Sequence, residues 1–201
     1  GIGVAEETGQ SLQDGETLML DANQAWDLDT ALRQSKRLAN LDLIWLEEPL
    51  PADAPDADWQ TLARAASMPL AGGENLTGNA FERAITLGAL QVIQPDICKW
   101  GGLSQTMKVA RAAIASGRRY CPHFLGGGVG LAASAHLLAA VGGDGTLEVD
   151  SSENPFIPVF SGGGLALEHG MFPISTGPGL GFDPCVEALK ESLTARVEIT
   201  L

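Results

Sequence analysis

Apolar runs that stop abruptly at a carboxylate recur along this sequence. Leu18 to Leu20 ends at Asp21, Leu43 to Leu46 at Glu47, and Met68 to Gly73 at Glu74. Leu90 to Pro95 ends at Asp96, and Thr146-Leu147 at Glu148. The acids Asp21 and Glu47 are 26 residues apart, Glu47 and Glu74 are 27, and Glu74 and Asp96 are 22. That interval holds one strand, one helix and two short connections. A chain built this way is a serial β/α fold around a parallel sheet.

The stretches between the runs agree. Leu28, Ala31, Leu32, Leu38 and Ala39 recur at helical spacing behind Asp27, a candidate N-cap. Helices are also predicted over residues 58–66, 77–87, 103–116 and 130–141, with Thr77 as a cap and Gly88 and Gly117 as stops. Strands are predicted at 17–21, 43–47, 70–73, 90–94, 118–122 and 146–149, six in all. Residues 1–8 are weakly patterned. Residues 151–184 are rich in Gly, Pro and Ser without a period, and 185–196 fit one last amphipathic helix. The division expected is an incomplete β/α barrel over residues 1–164. Residues 165–201 form a C-terminal tail that packs on the barrel or on a capping domain.

A net charge of −13 and a sequence pI near 4.4 argue against a nucleic-acid backbone or an anionic membrane as partner. No apolar run has transmembrane length. Cys98, Cys121 and Cys185 are odd in number and widely spaced, which suits reduced thiols in a cytoplasmic protein better than disulfides or a zinc site.

In parallel β/α folds the carboxyl ends of the strands open on one mouth. Asp21, Glu47 and Glu74 therefore converge although they are distant in sequence. Carboxylates gathered at one point repel unless a hard divalent cation binds them, and Mg²⁺ prefers such oxygen ligands. The plainer reading of each acid alone is a helix cap or a solvated side chain. His123 follows Asp96 by 27 residues, one repeat, so neighbouring strands put the two side by side. An aspartate on one imidazole nitrogen fixes the tautomer and leaves the other to move a proton. His136, inside a small-residue helix, and His169, in the tail, read as structural.

These residues carry a resemblance. Asp21-Ala22-Asn23-Gln24, Trp45-Leu46-Glu47-Glu48-Pro49 and Gly73-Glu74-Asn75 resemble the three metal-ligand motifs of the enolase superfamily. Pro95-Asp96 through Lys99 to Gly102, with Cys121-Pro122-His123, resembles the Asp–His dyad of its mandelate racemase branch. The resemblance spans residues 17–184. It implies an α/β fold: a partial TIM-like (β/α)₇β barrel lacking the N-terminal capping domain and the first barrel strands. It implies Asp21, Glu47 and Glu74 as Mg²⁺ ligands, with Glu48 the rival in its pair. It implies Asp96, His123 and Glu148 as catalytic groups. Glu148 matches the acid of the last barrel strand, which hydrogen-bonds the substrate carboxylate. To donate, it must be kept protonated by burial. Asp150 is the fallback, on the opposite strand face. Asn23 supports the metal or a ligand oxygen. Lys99 is structural rather than a base, since the lysine of the muconate-lactonising branch stands at the position of Asp96. Gly126 to Gly128 lacks the Lys-Ser/Thr of a phosphate loop.

The reaction implied is abstraction of a proton α to a carboxylate through an enediolate. Dehydration of a sugar acid to a 2-keto-3-deoxy acid is favoured over racemisation or epimerisation of a 2-hydroxy acid. The resemblance departs at one point: no lysine precedes Asp21, where the branch carries a Lys-x-Lys pair. The chain is therefore expected to be part of a longer polypeptide, inactive alone and homo-oligomeric in full. Two other classes stay open. One is an inactive remnant that binds metal or acid, and the other a phosphate-binding β/α-barrel enzyme, which would take an anion at helix N-termini without a divalent ion.

Overall fold

The computed structural model describes residues 2–154 and 167–183, with isolated positions at 157, 187, 190, 194, 195 and 197. Its elements alternate as expected. They run α1 (Ile2–Ser11), β1 (Met19–Asp21), α2 (Leu28–Leu38), β2 (Trp45–Glu47), α3 (Asp56–Ala65) and β3 (Leu70–Gly72). Then come α4 (Asn79–Leu87), β4 (Val92–Ile93), α5 (Gly102–Ala115), β5 (Arg119–Tyr120) and α6 (Gly128–Val141). The five strands form one parallel sheet in the order β1-β2-β3-β4-β5. Spatial order follows sequence order without a reversal. This is the winding of a barrel wall; a doubly wound sheet reverses direction part-way.

Alternation along each strand separates two faces. Leu46, Leu70 and Ile93 point to the helices and join Leu38, Leu62, Phe81 and Ile85 in the main core. Trp45, Ala71, Val92 and Cys121 pack together on the opposite face. Asp21 pairs in register with Glu47, and Glu47 with Ala71, so both acids share the face away from the helices.

Local chemistry accounts for most helix ends. Asp27 Oδ1 accepts the Thr30 N–H at 2.8 Å, as an N-cap should. Ala31, Ser35 and Leu38 then line the buried side of α2. Gly88 closes α4 in the left-handed region at φ 73°. Pro55, with φ already near the helical value, starts α3 two residues earlier than the sequence suggested. Thr77 does not cap α4: the cap position is Gly78, and no side chain bonds there.

Two further expectations are corrected. Residues 2–11 form a helix, anchored by buried Ala5, where no pattern was evident. Among the described residues the sixth strand, at 146–149, is absent. That segment runs beside β5 but makes no backbone ladder with it. A Cβ on Gly145 would overlap the Tyr120 carbonyl oxygen, and the Thr146 N–H meets Cys121 Sγ at 3.5 Å. Such close approach without register holds the segment by side chains.

The expected helix at 185–196, Cys185 and the boundary at 164 lie outside the described residues. Among the described residues no helix is long and apolar enough to cross a membrane.

Candidate active site

The sheet delivers Asp21, Glu47, Glu74, Asp96 and His123 to the same end, and Glu148 reaches them from the segment beside β5. Asp21 ends β1, an edge strand, and is exposed. Its carboxylate accepts the backbone N–H of Asn23 at 2.7 Å and the side-chain amide of the same residue. Asn23 and Gln24 both adopt left-handed backbone, at φ 46° and 60°, which turns the chain back across β2. The Gln24 N–H bonds the Glu48 carbonyl at 2.7 Å. Loss of hydration raises the Asp21 pKa, and the negative charges of Glu74 and Glu148 push the same way.

Glu47 is buried at 9% exposure. Its Oε2 accepts two side-chain N–H groups, Trp45 Nε1 at 3.0 Å and Gln94 Nε2 at 2.7 Å. Burial raises its pKa against those bonds, and repulsion from Asp21 adds to the rise. Glu48, the rival, takes the other face. It is 4% exposed, accepts Asn75 Nδ2 at 2.9 and 3.2 Å, and is pushed up to about 7, chiefly by burial. Glu48 stands just past β2 at φ 39°, in the left-handed region, so a backbone turn and not strand alternation parts it from Glu47.

Glu74 follows Gly73, whose φ of 137° suits glycine. A Cβ at Gly73 would stand 3.0 Å from the backbone nitrogen of Gln94. Past that kink the Glu74 carboxylate meets His123 Nε2 and Lys99 Nζ, the latter at 3.3 Å. The His123 hydrogen bond, despite burial, holds its pKa down to about 2. His123 Nδ1 lies 2.7 Å from Asp96 Oδ2. Asp96 Oδ1 accepts the backbone N–H groups of Cys98 at 2.7 Å and Lys99 at 3.1 Å. Burial works against the Asp96 carboxylate, but those bonds and His123 outweigh it and lower its pKa. Burial likewise opposes the imidazolium, yet the carboxylates on its two nitrogens raise His123 to about 10.

Glu148 Oε2 accepts the Phe124 N–H at 2.9 Å. The residue is exposed rather than buried as expected, but the protein around its carboxyl group removes part of its hydration. That loss, with repulsion from Glu47 and Glu74, raises its pKa. Asp150 is half-buried and instead accepts the Ser152 N–H at 2.8 Å. His136 Nε2 lies 3.2 Å from the Leu180 carbonyl, and His169 sits at a turn with φ 52°.

Sequence reasoning missed three of these partners: Trp45, Gln94 and the Lys99 contact with Glu74. A signal for the first two existed, because each stands two residues before a site acid and so shares its strand face. Lys99 carried none, as its reach depends on the turn after Asp96.

Among the described residues no three His, Cys, Asp or Glu side chains are placed to hold one metal ion. The oxygens face other partners: Asp21 turns to Asn23, Glu47 to Trp45 and Gln94, and Glu74 to His123 and Lys99. The donor chemistry nonetheless fits a hard cation. Asp21, Glu47 and Glu74 offer carboxylate oxygens from three adjacent strand ends, and the first two have pKa values raised partly by neighbouring carboxylates.

Known proteins are similar to this chain over most of its length. D-galactarolactone cycloisomerase of Agrobacterium fabrum is 33% identical over 183 residues, covering 87% of this chain and 48% of its own. A mandelate racemase/muconate lactonizing enzyme of Bordetella bronchiseptica is 48% identical with a TM-score of 0.87, matching 96% of this chain and 54% of that one. A variant of L-talarate/galactarate dehydratase, crystallised with Mg and L-glucarate, is 35% identical with a TM-score of 0.81, covering 93% and 45%. The chain thus spans about half the length of the relatives it matches. Residues 4–188 match the family described as Enolase C-terminal domain-like, and the chain belongs to that family of the enolase superfamily.

Proposed function

We propose that the longer protein containing this chain catalyses Mg²⁺-dependent loss of a proton α to a carboxylate, and that it dehydrates a sugar acid to a 2-keto-3-deoxy acid. The observation that carries this reading is His123, held on Asp96 and turned toward Glu74 at the mouth where Asp21 and Glu47 also end. The relatives named for galactarolactone and for talarate and galactarate support a hydroxylated acid as substrate.

Asp21, Glu47 and Glu74 would hold the Mg²⁺, which when bound supplies positive charge against the negative charge that develops on the substrate carboxylate. Glu148 adds to this from the protein. Its Oε2 accepts the Phe124 N–H, and lost hydration with neighbouring carboxylates raises its pKa, which favours the protonated form that can donate to the substrate carboxylate. His123, its Nδ1 held on Asp96, is the base: its neutral form takes the α proton on Nε2 as the C–H bond breaks. That leaves an enediolate, and the imidazolium so formed returns the proton to the β-hydroxyl as the C–O bond breaks. Water leaves and the resulting enol tautomerises to the ketone. Asp96 fixes the imidazole tautomer in both steps. The same reading gives the longer protein a homo-oligomeric state and a cytoplasmic location.

The test is solvent deuterium exchange into galactarate and L-talarate by the full-length protein with Mg²⁺, followed with a ketone trap. Dehydration gives a trapped 2-keto acid. Deuterium at the α carbon without loss of water indicates racemisation or epimerisation instead. No exchange with any sugar acid leaves a binding protein and ends the enzyme reading. His123→Asn should slow exchange by about 10²–10⁴-fold, the usual worth of a general acid or base.

A further inference from the structure

Glu48 is adjacent to a proposed ligand, yet it stands just past the end of β2 with left-handed backbone at φ 39° and lines a different space. On its own side a cavity of about 350 Å³ lies between β2, β3, α3 and α4. That volume is within the range of small-molecule sites. Trp59, Leu76, Leu87 and Leu90 supply apolar wall. Ala80 and Ala84, four apart on α4, leave the space open because their side chains are too short to fill it.

The polar part of the wall is acidic. Arg83 bonds Asp56 at 2.8 Å, so the cation of the wall is already paired, and among the described residues neither Glu48 nor Asp53 has a cation of its own. Glu48 is 4% exposed, and among the described residues its hydrogen bonds come from one group, Asn75 Nδ2. A carboxylate has about four acceptor positions, so this one retains capacity for a charged donor. An ammonium group satisfies both the charge and the lone pairs, and an apolar body satisfies the wall.

We propose that this cavity is a ligand site for a small primary amine with a ring-sized apolar body, its ammonium group on Glu48. Asn75 Nδ2 also donates to Glu74 Oε1 at 2.9 Å, so the occupied site touches the barrel mouth through one amide.

The probe is benzylamine, compared with benzyl alcohol as its neutral counterpart, by titration calorimetry on the full-length protein without Mg²⁺ or sugar acid. Benzylamine should bind saturably and about tenfold more tightly than the alcohol, the usual gain from a charge-assisted bond. Glu48→Gln should remove that preference while the alcohol binds as before. Ala84→Phe, which fills the cavity from α4, should abolish binding of both. Equal binding of the two probes by the native protein, or amine binding that survives Ala84→Phe, overturns the proposal even if Glu48→Gln does not fold. Neither Mg²⁺ nor turnover enters the measurement, so its outcome is separate from that of the deuterium exchange.

Discussion

Glu47 and Glu48 are consecutive, and their environments share almost nothing. Glu47 shares the inner face with Trp45, and both donors recorded for it converge on Oε2, leaving Oε1 without a side-chain donor. Gln94, itself 3% exposed, makes the shorter of those bonds. Gln94→Ala should therefore loosen the Glu47 carboxylate. Partners behind a metal ligand are typically worth about 10–100-fold in affinity, so calorimetric titration of the full-length variant with Mg²⁺ should show a loss of that order. Unchanged affinity would mean that Trp45 alone suffices. Tyr120 offers a test away from the mouth. It is 1% exposed, its hydroxyl has no partner among the described residues, and burial raises its pKa well above the ordinary value. The native state thus keeps a proton that the unfolded chain loses near pH ~10. The stability tied to that proton is full below pH ~10 and declines as pH rises further. Tyr120→Phe should abolish this alkaline decline and cost no stability at pH 7, since it removes a buried hydroxyl without a bond. Denaturant unfolding at pH 7 and above pH ~10 reads both effects.

At the scale of elements, the strands are shorter than their apolar runs. Of residues 90–94 only Val92 and Ile93 are strand, although the Gln91 and Gln94 N–H groups still bond the Leu70 and Gly72 carbonyls beside them. The run marks what is buried, while the ladder marks where neighbouring backbones stay in register. Residues 146–149 show the difference, lying beside β5 by contacts at Gly145, Thr146 and Glu148 without joining it. The helix at 2–11 escaped notice because burial at one alanine leaves little period to find. In α6 the sequence supplied small residues but no reason for them. A Cβ on Gly130 would overlap the Phe124 ring and stand 2.6 Å from Cys98 Sγ. Gly130→Ala therefore sets a helix-propensity gain of about 1 kcal/mol against an overpacking cost of about 1–3 kcal/mol. The expected result is a net loss of stability in denaturant unfolding. A gain would show that the Phe124 loop yields freely.

At the scale of the whole molecule, the parallel sheet gathers acids from separate repeats within a chain that carries a net charge of −13. Mg²⁺ should raise the melting temperature of the full-length protein beyond what NaCl of equal ionic strength achieves. Screening acts on all surface charge, whereas a bound ion stabilises by about 2.7 kcal/mol at a hundred times its dissociation constant. The excess should vanish in Asp21→Asn. Equal shifts for the two salts would leave only screening. The sequence by itself determined the β/α order, the parallel sheet, and the pairing of Asp96 with His123, because period and repeat length fix which residues end strands and which strands are neighbours. Only the tertiary structure decided what each acid touches there. Lys99 reaches Glu74, Gln94 reaches Glu47, and Glu48 faces a cavity behind the sheet, because contacts across strands depend on turns and rotamers that no local spacing encodes.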